Sequence, residues 1–213
     1  MIAKGIFTRK ELEQDCPELF AKIDDDDDDE VLKILVMYDS STKCVFAHAV
    51  RRKGAEAHVV QQIVDDISLI GHTRLVLRSD NEPAMLALIT DALKGLRIQL
   101  EDLASVAAEG SVPYDPQTNG AVESAVKNVK QSLRANLLTL ERRLQARVPA
   151  SHPIVSWLVR HSTMLRLVRM RARDGKTGFE RARGTQCTSK LLGFGEMCRY
   201  KCRLREGAIA DKS

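Results

Sequence analysis

The chain has no apolar run near the roughly 18 residues that a membrane-spanning helix needs, so no membrane span is expected. Its first 20 residues mix charges with short apolar pieces and hold no continuous hydrophobic segment, which argues against a secretory signal. Cysteine is sparse and scattered. Cys16, Cys44, Cys187, Cys198 and Cys202 form an odd set without a Cys-x-x-Cys pair. That speaks against a disulfide framework and fits a reducing compartment, so the expected location is intracellular, nuclear or cytoplasmic. The histidines His48, His58, His72, His152 and His161 do not cluster with the cysteines at ligand spacing, so no zinc centre is expected. They read as structural or exposed residues. No Ser/His or Cys/His nucleophile pair stands out, and no internal repeat is visible.

What the chain does have is enough apolar material for a core. Its 213 residues are 44% hydrophobic and 29% charged, which suits one large domain, or one domain with a small appendage, rather than a disordered chain. The net charge of +4 hides an asymmetry. Residues 1–120 carry 13 basic and 22 acidic side chains, whereas residues 121–213 carry 20 basic and 7 acidic ones. Halves of opposite sign suggest an acidic site or tail joined to a surface that meets a polyanion. The plainer alternative is two solvated surfaces of different composition. Asp24 to Asp29, followed by Glu30, repel one another and should form a solvated turn.

Periodicity sets the order of elements. Residues 1–18 read as a disordered or helical lead-in. A short apolar piece, 19–23, runs into Asp24. Residues 31–38 are a mostly apolar strand candidate, 39–43 a turn and 44–50 a further strand. Val59, Val60, Ile63, Val64, Ile67 and Ile70 fall on one helical face, and Gly71 stands where a C-cap belongs. Residues 73–79 form a strand ending at Asp80. Pro83 opens a helix expected to stop at Gly95, and 97–103 is a weaker strand candidate. Residues 113–120, with two prolines, Asn119 and Gly120, read as a loop. A long helix is expected over 121–147, since Val122, Val126, Val129, Leu133, Leu137 and Leu140 step by threes and fours. Another follows from Pro153 to about Arg171, with Trp157 on its apolar face and therefore in the core. The basic remainder carries a possible short strand over 197–202. Strands alternating with helices indicate an α/β layer fold with a mixed sheet.

Two carboxylates stand out. Asp80 ends a buried-type strand, and ligands of open α/β sheets gather at strand carboxyl ends. Glu123 opens a helix after a Pro/Gly loop. Each has a local alternative: Asp80 as a helix cap, Glu123 as a charge that suits a helix start. Their surroundings carry more. Leu77-Arg78-Ser79-Asp80-Asn81-Glu82, followed by Pro113-Tyr114-Asp115-Pro116-Gln117-Thr118-Asn119-Gly120-Ala121-Val122-Glu123, resembles the integrase catalytic core of retroviruses and long-terminal-repeat retrotransposons. That family pairs a strand ending in Asp-Asn with a loop of this proline-rich type. The resemblance covers about residues 19–172, leaving 173–213 as a basic C-terminal extension.

The resemblance implies a ribonuclease H-like fold: a mixed five-stranded sheet flanked by helices. It implies a metal triad whose second and third members are Asp80 and Glu123. Three converging carboxylates are tolerable when hard divalent cations sit between them, so two Mg²⁺ or Mn²⁺ ions are expected. A pair of such ions serves 3′-end processing and DNA strand transfer without a covalent enzyme intermediate. For the first carboxylate, strand order favours Asp24 at the end of the 19–23 strand. Asp39 is the alternative, although it reads as a hairpin-turn residue at the far edge of the sheet. Lys127, Lys130 and Arg134 follow Glu123 at +4, +7 and +11 on one outward stripe. The family resemblance makes the two lysines DNA contacts, with Gln117 and Asn119 beside them. Such phosphate contacts are sequence-independent and salt-sensitive. Arg166, Arg169, Arg171, Arg173, Arg181 and Arg183 also suit phosphate binding. The expected partners are double-stranded DNA and further copies of the chain. Glu82-Pro83 and Ser124 depart from the family pattern, and no His/Cys module precedes the core. An inactive, degenerate or domesticated DNA-binding remnant of a retrotransposon polyprotein is therefore the alternative to an active integrase domain.

Overall fold

The computed structural model describes residues 2–7, 32–50, 54–79, 81–100, 103–110 and 116–199, with backbone alone for 2–7, 110 and 116–119. In chain order the elements are β1 (Ile2–Phe7), β2 (Leu32–Tyr38), β3 (Val45–Val50), α1 (Ala57–Ile70), β4 (Arg74–Ser79), α2 (Pro83–Gln99), β5 (Ser105–Gly110), α3 (Pro116–Leu144), α4 (Pro153–Arg169) and α5 (Gly178–Arg183).

β2 reads as a continuous apolar run because both of its faces are covered. Leu35 and Met37 join Phe46 in a core built with α1 and α2. Ile34 and Val36 join Ala47 in a second core with Ala125, Val129 and Leu133 of α3 and Leu158 and Val159 of α4. β1 pairs antiparallel with β2 from Ile2↔Met37 to Phe7↔Leu32, and β2 pairs antiparallel with β3 from Lys33↔Val50 to Tyr38↔Val45. β4 and β5 are parallel, from Arg74↔Ser105 to Ser79↔Gly110. The expected single five-stranded sheet is not what forms among the described residues. There are a three-stranded sheet, β1-β2-β3, and a two-stranded one, β4-β5, with β1 lying against β4.

One side-chain contact places the start of β4. His72, just ahead of β4, reaches Asp39, just after β2. The start of β4 therefore lies beside the end of β2. β5 runs parallel to β4 and ends beside it, with Gly110 opposite Ser79.

Several sequence expectations change. Residues 2–7 are a sheet strand, not a disordered or helical lead-in. The first described strand is therefore β1; the stretch 19–23 lies outside the described residues. α2 does not stop at Gly95 but continues to Gln99, and the strand expected over 97–103 is instead β5. Gly95 is a crossing point: a Cβ there would stand 3.1 Å from Cγ2 of Val64 on α1. Gly120 does not end a loop, since α3 starts at Pro116. Trp157 is 72% exposed, so it is not core. Residues 197–199 form no strand; 200–202 lie outside the described residues.

The extension expected from residue 173 is not set apart from the core either. Thr177 and Glu180 form a reciprocal capping box that opens α5. Gly178 is buried so closely that a Cβ would meet Cys44 Sγ and Leu167 Cδ1, each at 3.2 Å. Cys187 and Leu191 pack on the first core and Phe194 on the second. Other expectations hold: Gly71 caps α1 at φ 78°, and Pro83 opens α2. No helix among the described residues is long and apolar enough to cross a membrane.

Candidate functional site

β4 alternates sharply. Leu77 and Ser79 are buried, while Arg74, Val76 and Arg78 face outward. Arg78 donates through Nε to Glu109 Oε2 on β5 at 2.8 Å, an exposed cross-strand pair of small energetic weight. Asp80 follows Ser79 directly and lies outside the described residues. Asn81 and Glu82 resume the chain ahead of α2.

β5 ends at Gly110 on the same edge as Ser79, and six residues later α3 begins. Six residue steps span at most about 20 Å, which bounds the distance from Gly110 to the opening of α3. Glu123 is the eighth residue of α3, about 10 Å along its axis from Pro116. This weakens the reading of Glu123 as a helix-start charge, because the helix-end effect fades within the first turn. The carboxylate is exposed and makes no hydrogen bond or ion pair among the described residues. Lys127, one turn on, is exposed and equally uncommitted among those residues. Lys130 and Arg134 are half-buried and engaged in interactions of their own, so the stripe is less uniformly outward than its spacing suggests. Gln117 and Asn119 fall in the first turn of α3; their side chains lie outside the described residues.

Asp39 is a turn residue. Its Oδ2 accepts from the Thr42 N–H at 2.8 Å, from the Thr42 hydroxyl and from His72 Nε2 at 3.1 Å. Burial pushes its carboxyl up, but the Thr42 donors and His72 outweigh that and hold its pKa below the ordinary value. It sits at the start of β4, roughly 20 Å of strand from Ser79. Its donors are those of a hairpin turn, and it shares with Arg74, Arg78 and Ala121 of α3 a cavity along the exposed face of β4. Asp24 lies outside the described residues. β1, Ile-Ala-Lys-Gly-Ile-Phe, which lies against β4, offers a lysine and no carboxylate. Among the described residues no group of three His, Cys, Asp or Glu side chains could hold a metal ion.

The arginines of the C-terminal third divide. Arg181 is committed to Asp174 and to the Thr42 carbonyl, and it holds the Asp174 carboxyl down to about 2. Arg171 donates to the Gly175 carbonyl, and Arg166 reaches Ser132 Oγ on α3 at 3.3 Å. Arg169, Arg173 and Arg183 are exposed without such partners among the described residues. Sequence reasoning missed the polar seam between α3 and α4, where Asn136 donates to Ser162 at 2.8 Å beside the Arg166–Ser132 contact. The signal was the four-residue step shared by Ser132 and Asn136 and by Ser162 and Arg166. It also missed the buried pair of His48 and Asp66, whose Nε2 and Oδ2 are 2.6 Å apart.

No protein-family model and no curated protein matches the chain. Solved structures do. The HTLV-2 integrase catalytic core domain in complex with magnesium matches in its trimeric form with TM-score 0.55 and 13% identity, over 85% of this chain and 95% of that one. The dimeric form matches with TM-score 0.50 and 14% identity, over 85% and 94%. A simian T-cell lymphotropic virus intasome in complex with PP2A regulatory subunit B56 gamma matches with TM-score 0.55 and 12% identity, over 95% of this chain and 59% of that one. The chain has the fold of retroviral integrase catalytic cores.

Proposed function

We propose that this chain is an integrase-type polynucleotidyl-transferase domain, acting in 3′-end processing and strand transfer on double-stranded DNA. One relation supports the reading. β4, which Asp80 follows, and α3, which carries Glu123 and Lys127, are joined through β5, whose last residue pairs with Ser79, in a chain with an integrase-like fold. The ligands proposed for divalent magnesium or manganese are Asp80, Glu123 and Asp24. The donor chemistry fits in kind: Glu123 is a hard oxygen donor, exposed and uncommitted among the described residues. Asp80 and Asp24 lie outside the described residues. When bound, a pair of such ions supplies charge stabilisation to an in-line phosphoryl displacement. Lys127, Lys130 and Arg134, with Gln117 and Asn119, are proposed to hold the DNA backbone. Self-association is proposed by analogy with the dimeric and trimeric HTLV-2 cores.

A second reading rests on β1. β1 carries no acid, so the first carboxylate must come from elsewhere in the chain; a chain lacking it would be a DNA-binding domain that keeps the fold and not the chemistry. Strand transfer by the purified protein in Mg²⁺, repeated with Glu123→Gln, separates the two. The first reading expects activity in the parent and its loss in the variant; full activity in Glu123→Gln would falsify the catalytic role. DNA binding without any transfer by the parent supports the second.

A further inference from the structure

Beyond α5 the chain returns to the α3–α4 pair and seats a short turn on it. Gly193 N–H donates to Glu196 Oε2 at 2.7 Å, and Glu196 N–H donates to the Gly193 carbonyl at 3.0 Å. Between them Phe194 packs on the second core and against the His161 ring of α4, with centroids 5.2 Å apart and planes inclined by 52°. Arg143 of α3 donates to the Phe194 carbonyl at 3.0 Å. The seat is close. A Cβ on Gly193 would stand 2.8 Å from the Arg143 guanidinium, and one on Gly195, at φ +72°, 2.6 Å from Leu140 Cδ1.

We propose that this turn is a pH-sensitive latch: neutral His161 holds Phe194 on the α3–α4 pair, and protonation of His161 releases it. The Nε2 of His161 is buried and has no hydrogen-bond partner among the described residues. A neutral imidazole tolerates an unused nitrogen there. An imidazolium would carry, on this half-buried ring, a buried N–H with no acceptor among the described residues. The charged groups on the packed elements do not supply one. Arg143 of α3 is cationic, as is Arg160 on α4 itself. Glu141 of α3 already accepts from Val148 N–H, and Glu196 of the turn from Gly193 N–H. Burial pushes the His161 pKa below the ordinary histidine value, and no carboxylate offsets it. For a base held low in the docked state, docking is strongest above the free value near 6.5 and weakens as pH falls below it.

The test is hydrogen exchange on the full chain at about pH 7.5 and about pH 5.5, corrected for intrinsic rates, read at the Gly193 and Glu196 amides. The single tryptophan, Trp157, one turn from His161 on α4, gives a parallel fluorescence readout. The parent should lose protection in acid, by about tenfold for each unit by which docking lowers the His161 pKa. His161→Phe, or His161→Gln if that variant is unstable, should remove the acid response while β2 and β3 stay protected. Phe194→Ala should be unprotected at both pH values. Equal acid responses in the parent and the His161 variants, or a turn still protected in Phe194→Ala, would overturn the latch.

Discussion

Asp39 and His72 stand 3.1 Å apart, and this contact ties the β2–β3 turn to the start of β4. It explains why a carboxylate at the end of an apolar strand is structural. Asp39→Ala removes the acceptor for two Thr42 donors and His72, which should cost about 1–3 kcal/mol. The effect has a pH signature. A carboxyl held low in the folded state stabilises above its unfolded value of 3.8, and that contribution is lost as pH falls through the folded value. Urea titrations should therefore show the gap between parent and variant closing below about pH 4. A gap that stays constant into acid contradicts the assignment. A folded variant that loses strand transfer returns Asp39 to the active set.

Lys127 and Lys130 lie one turn and two turns beyond Glu123 on α3. If both contact phosphates, Lys127→Ala with Lys130→Ala should lower the slope of log affinity against log salt by about 2, since each contact contributes about 0.9. Exposed Lys127 alone should alter stability by no more than about 0.5 kcal/mol. Filter binding over a salt series gives the slope. An unchanged slope removes the stripe from the DNA-binding surface.

Much of this architecture was legible from the chain. The run at β2 and the single-face period of α1 survive because burial on two faces, or on one, writes itself into hydropathy. The loop motif before Glu123 pointed to the fold without any packing argument. What failed depended on partners distant in sequence. Residues 2–7 carry Lys4 and Gly5 and look unremarkable until β2 supplies their hydrogen bonds. The seat of Phe194 depends on two glycines opposite Leu140 and Arg143, about fifty residues away, which no local window joins.

Gly95 illustrates the same point and can be tested. It looks like a helix stop, since glycine costs about 1 kcal/mol against alanine inside a helix. α2 runs through it because it is where Val64 of α1 comes closest. Gly95→Ala therefore gains helix propensity and loses space, a contact that a shift of a few tenths of an ångström at one methyl relieves. Its net effect should be within about 1 kcal/mol of zero. Gly95→Leu has no such relief and should cost about 1–3 kcal/mol. Thermal denaturation distinguishes the two. If Gly95→Leu is as stable as the parent, α1 and α2 do not meet at this residue.

Trp157 and Leu158 are neighbours on α4 with opposite fates, at 72% and 0% exposed. Helical periodicity alone placed the tryptophan inside, because an indole looks like core material. The buried arc of α4 instead follows Val155, Leu158, Val159 and Ser162, which face the sheet and α3. Trp157→Ser should change the unfolding free energy by no more than about 0.5 kcal/mol, as for surface substitutions generally. Leu158→Ala should cost about 2–5 kcal/mol, because it opens a cavity in the second core. In the parent, Trp157 emission should lie near that of indole in water and be readily quenched by acrylamide. A blue-shifted, shielded tryptophan, or a costly Trp157→Ser, would mean that this face of α4 is covered in solution, and the surface opposite α3 would then have to be redrawn as an interface.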